Sequence, residues 1–253
     1  MPWDGVAAHA AALVLYPGGL TIALAAAVRE AAAARRLPDL RRHWLPAIPT
    51  ALPIAVLPAV AMAEVAAPFN PVARADRNLL VAAVALTFAS ALPWVTAARP
   101  RAGGFLLSVQ LSWLVALLAP ALDPESLRPQ VLGALVVPAL IPVKIAAAML
   151  YLLCLPALVD AIPRQLDAAR SSSLLWLPYC ALFVSLFLPP RADDLAGLVS
   201  FWIITIVVGA ATFGMALLLR RSPAPAPSRL YHRAVGPFAW IVVGLAAVTA
   251  LLR

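Results

Sequence analysis

The feature that most constrains this chain is a thirty-residue apolar stretch, residues 131–160, which carries Lys144 near its middle. About 20 apolar residues in a helix cross the hydrocarbon core of a bilayer, so the stretch predicts a membrane-spanning helix. A lysine at the centre of such a helix costs roughly 2.5–3.5 kcal/mol to insert. We therefore expect Lys144 to face protein or a water-filled cavity, with other helices packed around it.

Three prolines, Pro138, Pro142 and Pro156, interrupt the same stretch. Each proline lacks an N–H and leaves a backbone carbonyl without its helical partner. Inside a membrane, other helices, hydroxyl groups or water must bond to such a carbonyl. The stretch thus predicts a kinked or broken helix within a larger bundle.

The composition extends this prediction to the whole chain. Hydrophobic residues make up 64% of the 253 residues, charged residues make up 12%, and the mean hydropathy is +0.94. This balance excludes an ordinary soluble domain and a disordered chain. It predicts an all-α polytopic integral membrane protein with one transmembrane domain over residues 1–253. The 25 prolines predict that several helices are kinked.

The length rule predicts about eight transmembrane helices. Their approximate bounds are 6–28, 45–66, 78–97, 103–122, 131–160, 174–189, 196–219 and 235–252. The connections after the odd-numbered spans hold 13 arginines, and the other side of the membrane holds 5. Since positive loops stay in the cytoplasm, both termini are predicted outside a bacterial-type inner membrane. The net charge of +8 therefore follows mostly from topology, and the predicted contact is a lipid bilayer and no nucleic acid.

Aromatic residues near the ends of spans predict positions at the membrane interface, where their amphipathic rings are favoured. They are Trp3, Trp44, Trp94, Trp176, Tyr179 and Tyr231. Cys154 and Cys180 lie inside apolar runs, which predicts buried thiols and neither a disulfide nor a metal site.

The sequence contains no nucleotide-binding glycine loop and no His/Cys cluster with ligand spacing, so we expect no metal and no catalytic residue in this chain. The candidates for a proton path are ionisable groups in or beside the spans, which are Lys144, Asp160, Glu64 and Asp167. Helix capping or anchoring is the alternative for the acids, and snorkelling is the alternative for Lys144. Gln110 is a polar intramembrane candidate, either as a neighbour of Lys144 or in an interhelical hydrogen bond.

Arginines in two predicted cytoplasmic loops are candidates for docking a partner. They are Arg35, Arg36, Arg41 and Arg42 in one loop, and Arg229 and Arg233 in the other. The second loop, residues 220–233, has a proline at every other position from 223 to 227, which favours an extended strap. A plain linker between helices is the alternative.

Four segments together carry a family resemblance. They are residues 13–20 followed by Arg29 and an arginine-rich segment, residues 53–80, residues 103–110, and residues 229–233 leading into residues 236–240. With these segments the chain resembles the H-type membrane subunit of respiratory complex I (NADH-quinone oxidoreductase) and the related membrane subunit of energy-converting and formate-hydrogenlyase-type hydrogenases. The resemblance implies a divergent and shortened member of that family.

The resemblance implies a subunit that joins a peripheral redox arm to a proton-translocating arm. Its partners would be other membrane and peripheral redox subunits, and the chain itself would bind no cofactor, with quinone at an interface. The family's acidic loop after the fifth helix is matched only by Asp160, Pro163 and Asp167, and its acid in the fourth helix is replaced near Ser112. The resemblance therefore supports membership better than intact quinone chemistry.

Two other classes of function stay open. One is a stand-alone transporter of a small solute or an ion, which an internal repeat would favour, and none is visible in the sequence. The other is a purely structural membrane scaffold.

The orientation leads to a first prediction. A single cysteine at Ser222, in a chain with Cys154 and Cys180 replaced, should react with a membrane-impermeant maleimide only after the membrane is opened. The arginine count places this loop in the cytoplasm. A cysteine at Ser126, on the opposite side, should react in intact cells and serves as the control. Labelling of Ser222→Cys from outside would reverse the orientation.

Overall fold

The computed structural model describes residues 2–34, 48–96, 100–122, 126–134, 138–159, 169–221 and 231–251. Within these ranges the chain is helical apart from short connections and contains no strand, so the all-α class is confirmed for them. The helices are α1 Pro2–Val14, α2 Gly19–Ala34, α3 Ile48–Ala63, α4 Leu79–Thr96, α5 Pro100–Leu118, α6 Pro129–Ala134, α7 Ile141–Val159, α8 Ala169–Phe187, α9 Leu195–Arg221 and α10 Gly236–Leu251. Short 3-10 turns lie at Ala119–Leu122 and Pro138–Leu140, and a π-helical turn lies at Tyr231–Val235.

Four helical segments of the described chain are long and apolar enough to cross a membrane. They are Trp3–Arg29, Pro138–Val159, Leu195–Leu219 and Arg233–Leu251. Three shorter apolar helices lie at Leu79–Ala91, Phe105–Ala121 and Leu174–Phe187. Several apolar helices of this kind indicate a membrane protein, and the count of eight spans stays a prediction.

The first of these segments is interrupted, although the sequence predicted one span over residues 6–28. Helix α1 ends at Val14 and α2 begins at Gly19. At the break, the backbone N–H of Gly18 donates to the carbonyl oxygen of Ala12 at 2.9 Å. A Cβ atom on Gly18 would lie 2.3 Å from that same oxygen. The chain turns this closely over the end of α1 because residue 18 has no side chain.

The thirty-residue stretch around Lys144 is also not one helix. It begins inside α6, passes through the turn Pro138–Leu140, and continues as α7. Lys144 is the fourth residue of α7, so it lies only about 4.5 Å along the axis from the first residue of that helix. The kinked or broken helix that the prolines predicted is therefore confirmed, but Lys144 lies near the start of a helix and not at the middle of one, which corrects our prediction of its position.

Helix α8 is the centre of the bundle, although the sequence marked it only as a short span over residues 174–189. Every residue from 175 to 186 is buried, and α8 packs against α2, α3, α4, α6, α7 and α9. A helix that is apolar on all sides is expected to be surrounded by other helices. This short segment therefore lies at the centre of the bundle, surrounded by longer helices.

Several aromatic residues predicted at the membrane interface are instead inside the protein. Tyr179 is fully buried, and Trp176 and Tyr231 are 8% and 4% exposed, so the prediction is wrong for these three. Trp176 lies against Gly209 of α9, where a Cβ would come within 2.7 Å of the indole ring. Trp3 is 76% exposed, and the side chains of Trp44 and Trp94 are outside the described residues.

The break in the first segment generates the second prediction. Gly18→Ala should lower the free energy of unfolding in mixed micelles by about 1–3 kcal/mol, because its methyl group overlaps the carbonyls at the end of α1. Gly5→Ala in α1 and Gly244→Ala in α10 are the controls, since a Cβ at either meets nothing within 4 Å. These controls should be neutral or more stable, as alanine is the better helix former. Equal stability of all three variants would contradict the close approach of residue 18 to the end of α1.

Candidate functional site

Lys144 closes the break that precedes α7. Its ammonium group donates hydrogen bonds to the carbonyl oxygens of Leu132 and Gly133, at 3.0 and 2.7 Å. Both carbonyls belong to the end of α6, and the last four carbonyls of any helix lack partners within it. A cation at this end is also favoured by the helix dipole. Lys144 therefore acts as a C-terminal cap for α6.

Gln110 lies elsewhere in the bundle, so the prediction that it neighbours Lys144 is wrong. Gln110 is 4% exposed, and its amide nitrogen donates to the Ser90 hydroxyl and, at 3.4 Å, to the Thr87 carbonyl. The Tyr179 hydroxyl lies 3.3 Å from the same Ser90 oxygen. Gln110 thus joins α5 to α4, which is the interhelical hydrogen bond that the sequence left as the alternative, and Ser90 in turn links α4 to Tyr179 of α8.

Glu64 lies just beyond α3, at the start of the connection to α4, residues 64–78, which we call the 64–78 loop. Its Oε2 accepts a hydrogen bond from the backbone N–H of Asn78 at 2.6 Å. Asn78 in turn caps α4, because its side-chain oxygen accepts from the N–H of Leu80 at 2.9 Å. Burial raises the pKa of the Glu64 carboxyl, while this hydrogen bond opposes the rise. The geometry agrees with a capping and anchoring role.

Arg77 holds the 64–78 loop together from inside and is 6% exposed. Its guanidinium donates four hydrogen bonds, all to backbone carbonyls of Val65, Asn70 and Val72. The side chain of Asn70 adds three more bonds within the same region, to Ala63, Val65 and Val72. Burial lowers the pKa of the Arg77 guanidinium.

The charge pattern of the sequence did not predict this role of Arg77, which is one of the five arginines on the less basic side. The available signal was its place directly before Asn78 and an apolar run, which indicates the start of a helix. That signal says nothing about burial, which depends on how the loop folds over the guanidinium.

The remaining candidates are mostly outside the described residues. This applies to Asp160, Asp167, Arg35, Arg36, Arg41, Arg42 and Arg229. Arg233 is described and is exposed, in the turn that precedes α10, so its docking role stays a prediction. The described candidates do not converge on one site, because Lys144, Gln110 and Glu64 each bond to a different part of the bundle.

Comparison with known proteins does not identify a family. No family model matches the sequence, and no curated protein matches it.

The contacts of Lys144 generate the third prediction. Lys144→Leu should lower the free energy of unfolding by about 1–3 kcal/mol, because two carbonyls lose a charged donor. Met149→Leu is the matched control, as this side chain is on the same helix and is 53% exposed. If Lys144→Leu equals or exceeds the wild type in stability, the ammonium only snorkels to the interface.

Proposed function

We propose that this chain is the anchoring membrane subunit, of the complex I H-type, in a complex I-like or energy-converting hydrogenase-like redox assembly. In this proposal it anchors a peripheral redox module in a bacterial-type inner membrane. It has eight spans with both termini outside, and other membrane and peripheral redox subunits surround it. Quinone, where the assembly uses it, binds at an interface with a partner.

The observation that carries the proposal is a contact between two segments that resemble the family. The Tyr16 hydroxyl, in residues 13–20, donates to the carbonyl oxygen of Pro68, in residues 53–80, at 2.8 Å. Helix α1 also packs along α3, which belongs mostly to the second segment. The two segments thus contact each other through residues that are 52 positions apart in sequence. Such a contact is expected if both segments belong to one conserved unit of the family's fold.

Exposed apolar surface supports a role within an assembly. Large hydrophobic side chains cover the outer faces of α9 and α10, among them Ile203, Ile206, Val207, Leu218, Trp240, Ile241 and Val248. In a membrane such faces contact either lipid or neighbouring subunits, and the bundle offers broad surface for both.

The contacts of the charged candidates favour a structural role at helix ends over a role in proton transfer. Lys144 bonds the end of α6, and Glu64 bonds the start of α4, so each has a structural role. A proton route in this chain would therefore pass through residues other than these two. Asp160 and Asp167 are the remaining candidates from the resemblance, and their role stays a prediction.

A transporter is the second candidate, and interrupted helices are the observation that favours it. The first segment breaks between α1 and α2, and another breaks between α6 and α7. Transporters commonly bind their substrates at discontinuous membrane helices. At the break between α6 and α7, however, the ammonium of Lys144 already donates hydrogen bonds to the carbonyls at the end of α6. These carbonyls are therefore not free to bind a substrate.

Isolation of the intact assembly tests the proposal and is the fourth prediction. Native mass spectrometry of the gently extracted, tagged chain should show a larger complex whose partners carry iron–sulfur or nickel–iron centres. Arg233→Glu should weaken that complex if the exposed arginine docks a partner. Arg128→Glu reverses the charge of another exposed arginine, on the opposite predicted side, and is the control. A monomer that transports a solute when reconstituted alone would favour the transporter.

A further inference from the structure

A cavity of about 370 Å³ lies beside the 64–78 loop, where the ends of several helices meet. Its lining includes Arg74, Arg77, Gln130, Arg191 and Asp193. The lining contains three arginines and one carboxylate, so the cavity carries a net positive charge. None of the candidates from the sequence analysis lies in it.

The positive charge is only partly compensated by the protein. Arg74 pairs with Asp193 at the rim. Arg77 is buried and donates its hydrogen bonds to carbonyl oxygens, while the carboxyl groups of Asp193 and Glu64 are close enough to offset part of its charge. Arg191 is exposed, and the described residues give it no ion pair. The cavity is thus suited to an anion, since guanidinium groups match the oxygens of phosphate and carboxylate.

The surroundings of the cavity indicate which anion it would take. Asp193 stands two residues before Leu195, the first residue of the apolar segment Leu195–Leu219. Leu195 is 72% exposed, and Leu188, just before the lining prolines, is 46% exposed. A ligand here would find positive charge and apolar surface side by side, which is the arrangement that suits the headgroup and acyl chains of a lipid.

We propose that this cavity binds the phosphate group of an anionic membrane lipid. Arg191 and Arg74 at the rim contact the phosphate oxygens, and Arg77 adds positive potential from below. The acyl chains lie along the exposed side chains that begin at Leu195. This proposal is independent of the redox assembly, because it needs only the cavity and the membrane.

Free phosphate would use the same arginines, and a partner subunit could instead supply a carboxylate. The exposed leucines favour the lipid, because neither inorganic phosphate nor a surface carboxylate needs apolar contact. These other occupants are separate outcomes of the experiment.

The test is a titration of the purified full chain with lipid, followed by native mass spectrometry. Phosphatidylglycerol should bind at least about tenfold more tightly than phosphatidylcholine, since both lipids present a phosphate but the choline ammonium cancels its charge and is repelled by the arginines. Arg191→Gln should weaken phosphatidylglycerol binding by about the same factor. Arg128→Gln is the matched control, because Arg128 is exposed and close in sequence to Gln130 but does not line the cavity. Arg128→Gln should change the affinity for phosphatidylglycerol by less than about twofold if direct contact, and not the overall charge of the chain, determines binding.

Asp193→Asn separates a binding site from a purely structural ion pair. The substitution removes the carboxylate that pairs with Arg74 and makes the cavity more positive. A lipid site should then bind phosphatidylglycerol more tightly, whereas a structural pair should give a less stable chain with unchanged or weaker binding.

Three results would overturn the proposal. Equal effects of Arg191→Gln and Arg128→Gln would indicate diffuse electrostatic attraction to the lipid. Displacement of bound phosphatidylglycerol by millimolar inorganic phosphate would indicate a site for the free anion. Loss of partner subunits when the Arg191→Gln chain is isolated by gentle extraction, with lipid binding of the purified chain unchanged, would indicate that a protein carboxylate occupies the cavity.

Discussion

The structure depends on hydrogen bonds from side chains to backbone groups. These are the groups that broken helices and loops leave without a backbone partner. A peptide group buried without a hydrogen bond costs several kcal/mol in an apolar environment. Lys144 meets this need at the end of α6, and Tyr16 donates to the carbonyl of Pro68 in the 64–78 loop at 2.8 Å. Arg77 and Asn70 meet it elsewhere in the same loop. Polar side chains thus let a proline-rich chain keep a tightly packed interior.

This use of polar groups bears on function. A side chain whose donors or acceptors are directed at the backbone or at a neighbouring helix is held in place, so it is poorly suited to moving a proton or following a substrate. Lys144, Glu64 and Gln110 all have such partners. The charges around the cavity are different, because Arg191 is exposed and Arg74 pairs only at the rim. The described chain thus contains charges that hold the fold together and charges that remain available to a ligand.

The central position of α8 shows how packing decides the fate of side chains. Its residues Tyr179 and Trp176 have polar atoms and lie where a span was predicted to end, so the sequence favoured the interface. In the bundle, Tyr179 reaches Ser90, and Trp176 occupies the space that Gly209 leaves on α9. Neither contact has a signal in the local sequence, because each joins residues from separate helices.

The sequence by itself determined the helical class, the apolar character and the need for Lys144 to face protein. These follow from composition and from the solvation cost of a charge, which are properties of the chain alone. Only the tertiary structure decided where the helices break, which partner each polar group finds and which arginines share a cavity. Those outcomes depend on distances in space between residues far apart in sequence, such as Arg74 and Asp193, which are 119 positions apart. The pattern of residues along the chain does not contain these distances until the helices are packed.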